Sequence, residues 1–128
     1  MQGEKFVMTW RLDGTLAANK TIGFKLPFAI TVVALGAVAS NNSDATISLG
    51  TLADPDGYLL AKVVGDSGTP VVYDKDDWDG ALLPSDHIAD VDNLHVAADT
   101  VVNIAIDYDG ATGTAAQNVD IYLVAIEG

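Results

Sequence analysis

Residues 5–12, KFVMTWRL, decide the fold class, because their apolar side chains recur with a period of two. In an extended chain, successive side chains point to opposite faces. Val7, Thr9 and Arg11 therefore share one side, and the opposite side carries the large apolar residues Phe6, Met8, Trp10 and Leu12. This pattern predicts a β-strand.

The same period continues along the chain, in ATISLGT (45–51) and VVNIAIDY (101–108) for example. β-Branched residues are abundant, and Gly, Asn, Asp and Pro separate the apolar segments. These patterns predict about eight strands, at 5–12, 20–25, 29–39, 45–51, 58–64, 70–73, 101–108 and 118–126. The expected fold is an all-β antiparallel sandwich, with a jelly roll as the leading topology and a seven-stranded immunoglobulin-like sandwich as the alternative.

The last segment, VDIYLVAIE (119–127), differs because both of its sides are apolar. Ile121 and Leu123 share one side, and Tyr122, Val124 and Ile126 share the other. A strand with two apolar sides predicts that a second layer covers the outward one. That layer is either another element of the chain or another subunit.

Composition bounds the class of protein. With 18 acidic against 6 Lys or Arg residues, the formal charge of −12 argues against nucleic acid as a partner. The absence of cysteine excludes disulfides and cysteine nucleophiles. The most apolar stretch, residues 26–39, is too short and too interrupted to span a bilayer. We expect one domain over 14–128, preceded by an N-terminal arm or first strand over 1–13.

Residues 74–87, DKDDWDGALLPSDH, pose the main question about chemistry. The pattern Asp-x-Asp-Gly occurs here at 77–80 and also at 54–57 and 107–110. Aligned with an EF-hand calcium loop, all three copies lack the first carboxylate ligand. We expect turns at 54–57 and 107–110. Calcium held by several loops is an open alternative for 74–92, and Trp78 is either a lid on the sandwich or a contact residue.

Catalytic motifs are not recognisable in this sequence. His87 and His95 are eight positions apart in an Asp-rich stretch, without a nucleophile motif and without helical metal-ligand spacing. Carboxylate pairs are uninformative in so acidic a chain. We therefore expect no enzymatic activity and no cofactor, with a small hydrolase using the Asp/His-rich loop as an open alternative.

The chain resembles the head decoration (cement) proteins of tailed bacteriophages. The segments that carry the resemblance are GFKLPFAITVVALGAVAS (23–40), ATISLGTLADPDGYLLAKV (45–63) and HVAADTVVNIAIDYDGATGTAAQNVDIYLVAIEG (95–128). The resemblance implies a virion protein without enzymatic activity, made in the bacterial host cytoplasm. It would bind the major capsid protein on the outer capsid surface as a homotrimer and stabilise the head.

In such proteins an N-terminal arm makes contacts with the capsid or with neighbours. Here that role would fall on Lys5, Phe6, Trp10 and Arg11. Further interface candidates are Trp78, Tyr122, Val124 and Ile126.

Two other functions stay open at this point. A carbohydrate-binding module would stack sugars on Trp78, Tyr58 or Tyr73, with or without structural calcium. A phage tail or fibre component would share the fold and the composition.

Overall fold

The structure is a computed structural model and describes residues 4–79, 94–110 and 113–128. Nine strands lie within these residues: β1 (Lys5–Thr15), β2 (Lys20–Lys25), β3 (Ile30–Val38), β4 (Thr46–Thr51), β5 (Leu59–Val63), β6 (Val71–Tyr73), β7 (Leu94–Val96), β8 (Val101–Asp107) and β9 (Gln117–Glu127). No helix in the described ranges is long and apolar enough to cross a membrane.

All eight predicted strands are confirmed within a few residues. The ninth, β7, falls in a segment that the sequence pattern assigns to a polar connection. Its three residues are too few to show a period, and aspartates flank them.

The strands form two antiparallel sheets. Sheet A has the order β1-β9-β3-β6, and β7 pairs with β3 at Ile30–Val32, beside the segment that β6 pairs with. Sheet B has the order β2-β8-β4-β5. The all-β sandwich predicted from the sequence is confirmed.

This strand order is that of a jelly roll. The pairs β1–β9, β2–β8, β3–β6 and β4–β5 are nested, as in one long hairpin that has been wrapped around a barrel axis. Eight of the nine strands take part in this nesting, and β7 is an addition at the free side of β3. Full nesting distinguishes the jelly roll from the immunoglobulin-like alternative.

The core lies between the two sheets and is mainly aliphatic, with Tyr58, Tyr73 and Trp78 as its buried aromatic members. Along β9, for example, Val119, Ile121, Leu123 and Ala125 are buried, and the residues between them are more exposed. The largest fully buried side chains come from both sheets: Ile30, Val32, Leu35, Ile47, Leu49, Leu59, Leu94, Val102, Ile104, Ile106, Ile121 and Leu123. Such close packing of branched side chains is the main source of stability in a domain of this size.

Aromatic pairs close the side of the sandwich where β1 faces β2. The rings of Trp10 and Phe24 are stacked, with centroids 5.7 Å apart. The rings of Phe6 and Phe28 meet edge to face at 6.3 Å. The first pair joins the edge strands β1 and β2, and the second joins β1 to the segment between β2 and β3. Together they add an aromatic layer beside the core at this side.

Strand β1 remains paired with β9 beyond Leu12 because of a β-bulge. Gly14 and Asn118 both have positive φ there, and the Gly14 amide donates a hydrogen bond of 2.8 Å to Asn118 Oδ1. Glycine and asparagine are the residues that tolerate this backbone conformation best. The segment predicted as an arm or first strand is thus, over Lys5–Asp13, part of sheet A.

Candidate functional site

The outward side of sheet A is a broad and largely apolar surface. We call this side, formed by β1, β9, β3 and β6, the outer face of sheet A. Val124 lies near its centre, directly opposite Val7 on one neighbouring strand and Ala34 on the other. Val7 is 55% exposed, and Ile126 extends the apolar row next to Lys5.

Tyr122 lies flat on this face because its neighbour is a glycine. Its register partners are Thr9 on β1 and Gly36 on β3, and Gly36 is opposite Val72 on β6. A Cβ atom at Gly36 would lie far inside van der Waals contact with Cζ and Cε1 of the tyrosine ring. The ring therefore occupies the space that any other residue at position 36 would fill. Val72, at 49% exposure, continues the apolar surface to the edge of the sheet.

An exposed ion-pair network marks one end of the outer face of sheet A. Arg11 Nη1 donates to both carboxylate oxygens of Asp120 at 2.9 Å, and Nε donates to Asp13 Oδ1 at 2.6 Å. Hydrogen bonds to Asp13 and then Asp120 raise the pKa of the Arg11 guanidinium. Contacts of Nε with one carboxylate and of Nη1 with another orient the arginine between them, although each partner is solvated.

Two open hollows flank this network. One has a volume of about 270 Å³ and lies beside Tyr122 and Thr9. The other has a volume of about 240 Å³ and lies beside Val38, Ser40 and Asn118. Both are shallow, so they suit side chains of a partner surface better than an enclosed small molecule.

The charges on the outer face of sheet A cancel. Its strands carry two outward cations, Lys5 and Arg11, and two outward anions, Asp13 and Asp120. Glu127 is opposite the buried Ile30 and so belongs to the other side of the strand. The chain as a whole carries −12. A neutral, largely apolar face on so acidic a protein has the composition of an interface core, from which charged residues are depleted.

Seven of the eight predicted interface residues lie on the two sides of sheet A, and the eighth, Trp78, is buried in the core cluster. Lys5, Arg11, Tyr122, Val124 and Ile126 lie on the outer face. The other two, Phe6 and Trp10, point inward and pack against the core through their ring contacts with Phe28 and Phe24. The large apolar residue that β1 exposes on the outer face is Val7.

Three residues of the outer face of sheet A were not among the predicted interface residues: Val7, Gly36 and Val72. Val7 was identifiable from the alternation in KFVMTWRL, because it lies on the Thr9 and Arg11 side. Gly36 and Val72 had no local signal, because their place beside Tyr122 depends on the order of β9, β3 and β6 in the sheet.

The aromatic residues proposed as sugar platforms are buried. Tyr58, Tyr73 and Trp78 all belong to the core cluster, and Trp78 is only 8% exposed. Burial raises the pKa of both phenols, and Asp77 adds to the effect at Tyr73. The Tyr73 hydroxyl donates to the Val63 carbonyl at 2.5 Å. Stacking a sugar needs an exposed ring face, so this arrangement does not favour the carbohydrate-binding alternative.

The aspartates of 74–79 hold a backbone turn together. Asp77 Oδ2 accepts a hydrogen bond from the Asp74 amide at 2.9 Å, and Asp74 Oδ1 accepts one from the Asp76 amide at 3.2 Å. The Asp-x-Asp-Gly sequence at 107–110 has the same kind of hydrogen bond, because Asp107 Oδ1 accepts one from the Asp109 amide at 3.0 Å. This is the hydrogen bonding that makes aspartate a turn residue.

The turn at 54–57 covers one residue of sheet B. The Gly57 amide donates to the Asp54 carbonyl at 3.0 Å, and the backbone of Asp54 and Pro55 closes over Gly50. Desolvation raises the pKa of the Asp54 carboxyl, and a hydrogen bond with Asp56 and the charges of Asp56 and Asp79 raise it further.

The described residues contain no group of three His, Cys, Asp or Glu side chains placed to hold a metal ion.

Of the two histidines, the structure describes His95 only. His95 lies exposed on β7 opposite Thr31, and it forms no ion pair with any residue that the structure describes. His87 and the rest of 80–93, including part of the proposed calcium loop, lie outside the described residues.

Comparison with known proteins gives one relationship, at the level of the fold. No protein-family model matches the sequence, and no curated protein matches it. Among solved structures, the chain is similar to a chain of the cyanophage Pam1 capsid asymmetric unit, with a TM-score of 0.53 and 18% sequence identity. The match covers 98% of this chain and 86% of the other, so the two share the whole sandwich rather than one motif.

Proposed function

We propose that this chain is a non-enzymatic structural protein of a bacteriophage virion, which binds the outer capsid surface as an oligomer and stabilises the head. The observation that carries the proposal is the similarity of 98% of the chain to a chain from a phage capsid. The resemblance in the sequence points the same way and implies a trimer seated on the major capsid protein.

The surface chemistry supports a structural role of this kind. The outer face of sheet A offers a broad apolar contact, and its two hollows are shallow. Contacts spread over such a surface add many modest contributions rather than one deep pocket. The remaining surface is strongly acidic, and it would favour basic patches on a capsid.

The proposal is tested by reconstitution. Heads that lack the protein are purified, mixed with the purified chain, and separated from free protein on a density gradient. We expect the chain to migrate with the heads up to a saturating ratio and to raise the temperature at which they release DNA. Saturable binding to isolated tails alone would instead support the tail or fibre alternative, and binding to neither would contradict a virion role.

A further inference from the structure

Strand β1 ends sheet A with a long edge that no other strand covers in the part of the chain that the structure describes. It has 11 residues, whereas the other edge strands, β2, β5, β6 and β7, have six, five, three and three. The edge of β5 is also partly used, because the Val63 carbonyl accepts a hydrogen bond from the Tyr73 hydroxyl. An unpaired strand edge is a template for a further strand, and β1 offers the longest one among the described strands.

The backbone groups that this edge offers follow from the alternation of an antiparallel ladder. The Glu127 amide donates to the Glu4 carbonyl at 3.5 Å, and the next amide, of Gly128, donates to the Ala29 carbonyl on the β3 side at 2.8 Å. Even-numbered residues of β1 therefore bond to β9, and odd-numbered residues point their N–H and C=O groups away from it. The odd-numbered residues before the bulge are Lys5, Val7, Thr9 and Arg11.

Half-buried apolar side chains line the same side of the sandwich. Nine partly buried apolar residues pack on the core among the described residues, and seven of them belong to β1, to β2 or to the residue after β2. They are Phe6, Met8, Trp10, Leu12, Ile22, Phe24 and Leu26. Side chains alternate along a strand, so every second side chain of a strand added beside β1 would lie against these residues and bury them further.

The two edge strands on this side are positively charged, although the chain is strongly acidic. Strands β1 and β2 carry four cations against one carboxylate, Asp13, which is +3 on a chain of −12, so the other residues carry −15. Lys5, Lys20 and Lys25 form no ion pair with any residue that the structure describes. The open edge is therefore complementary to an acidic segment.

We propose that the free edge of β1 takes up an extended acidic segment of another virion protein as an added strand. Backbone hydrogen bonds to the odd-numbered residues would hold it, its apolar side chains would cover the half-buried residues, and its acidic side chains would meet the lysines. A second copy of this chain fits less well, because its longest open edge is another β1 with the same cations. The inference rests on the proposed function and names the kind of partner segment.

A synthetic peptide tests this edge without knowledge of the natural partner. The probe is a peptide of about nine residues in which Glu and Val alternate, long enough to run past Lys5–Arg11. We expect saturable binding with a Kd of about 1 mM or below. Replacing Glu by Lys in the peptide, or N-methylating its alternate backbone amides, should weaken binding at least about tenfold. Absence of saturable binding by the Glu/Val peptide would overturn the proposal.

Amide hydrogen exchange followed by NMR gives a readout that non-specific attraction does not produce. In the free chain the amides of Val7 and Thr9 should exchange fast and those of Met8 and Trp10 slowly, because only the latter bond to β9. The peptide should slow exchange at Val7 and Thr9. No change at these two amides would overturn the proposal. Protection of them by raising the concentration of the chain alone would assign the edge to a second copy and overturn it as well.

Two kinds of variant separate the edge from the rest of the surface. Thr9→Pro removes an N–H that points away from β9, so the β1–β9 ladder should persist, as slow exchange at Met8 would show, while peptide binding weakens at least about tenfold. Lys5→Glu and Lys62→Glu change the net charge equally, but Lys62 lies on β5. Lys5→Glu should weaken binding at least about threefold more than Lys62→Glu, because salt screens the distant charge. Equal losses in the two lysine variants would overturn the proposal even if Thr9→Pro did not fold.

These results are separable from the proposed function. If the chain binds heads and folded Thr9→Pro binds them equally well, the added strand is excluded and the virion role stands. If the peptide protects Val7 and Thr9 but the chain binds no head, the edge keeps its preference for acidic strands and the virion role is contradicted.

Discussion

The contact between Tyr122 and Gly36 allows the packing on the outer face of sheet A to be tested by substitution. A Cβ at position 36 would overlap the tyrosine ring, so Gly36→Ala forces the ring off the sheet. Without a clash, replacing a strand glycine by alanine stabilises a protein by about 0.4–1 kcal/mol through the unfolded chain. Overpacking costs about 1–3 kcal/mol. We therefore expect Gly36→Ala to lower the free energy of unfolding by about 1–2 kcal/mol.

The assay is a double-mutant cycle in urea, followed by tryptophan fluorescence. In a Tyr122→Ala background no ring occupies the space, so Gly36→Ala should become neutral or stabilising, with a coupling of about 2 kcal/mol. Gly23→Ala on sheet B is the control, because the nearest atom to its added Cβ is Asn103 Oδ1 at 3.0 Å, a much looser approach than that of the Tyr122 ring at position 36. The reasoning is refuted if Gly36→Ala costs the same with and without the Tyr122 ring.

Three further predictions concern other parts of the molecule. Trp10→Ala should lower the free energy of unfolding by about 3 kcal/mol, because it removes a ring that packs on Phe24 and the core; a loss below about 1 kcal/mol in urea denaturation would contradict that packing. Arg11→Ala should change the urea denaturation midpoint only slightly, and less at high salt, because its ion pair with Asp120 is exposed; a large shift of that midpoint would contradict this. Asp54→Asn should raise the melting temperature at pH 7: the folded-state pKa of Asp54 is raised, so ionisation disfavours the folded state as pH rises through that pKa. The gain should shrink as pH falls and disappear in melts below about pH 3, where the carboxyl is protonated in both states, and a gain that persists there would contradict this cause.

The strands were predictable because the signal is local. Alternation over six to eleven residues is enough to identify β1, β4, β8 and β9, whose neighbouring side chains fall on opposite sides. β7 is three residues long and gave no such signal. The two apolar sides of β9 also predicted that another layer packs on its outward residues. In the structure these residues, Tyr122, Val124 and Ile126, are half-buried.

The pairing of the strands was not predictable, because it joins segments far apart in the chain. β1 lies beside β9, with Arg11 opposite Asp120 at a separation of 109 residues. Without that order, the sequence could not place Val72 and Gly36 beside Tyr122. The role given to Phe6 and Trp10 came from the resemblance, while their own alternation already placed them on the more apolar side of β1, which faces the core.

The burial of Trp78 could not be predicted from the residues around it. Its neighbours in sequence are aspartates, which left a buried lid and an exposed contact residue equally open. The structure buries the ring, and its indole N–H has no hydrogen-bond acceptor among the described residues. The carboxylates around it are used by backbone amides of the turn at 74–77, so the Asp-rich segment supports the fold there.

The most direct test of the proposed virion role is the amount of this protein in phage virions purified from bacteria that carry its gene. The chain and the major capsid protein would be quantified by mass spectrometry in gradient-purified heads and, separately, in tails. The account predicts that the chain is present in heads at a fixed ratio to the capsid subunits and is depleted from tails. Its absence from intact virions, or its presence in tails alone, would contradict the account.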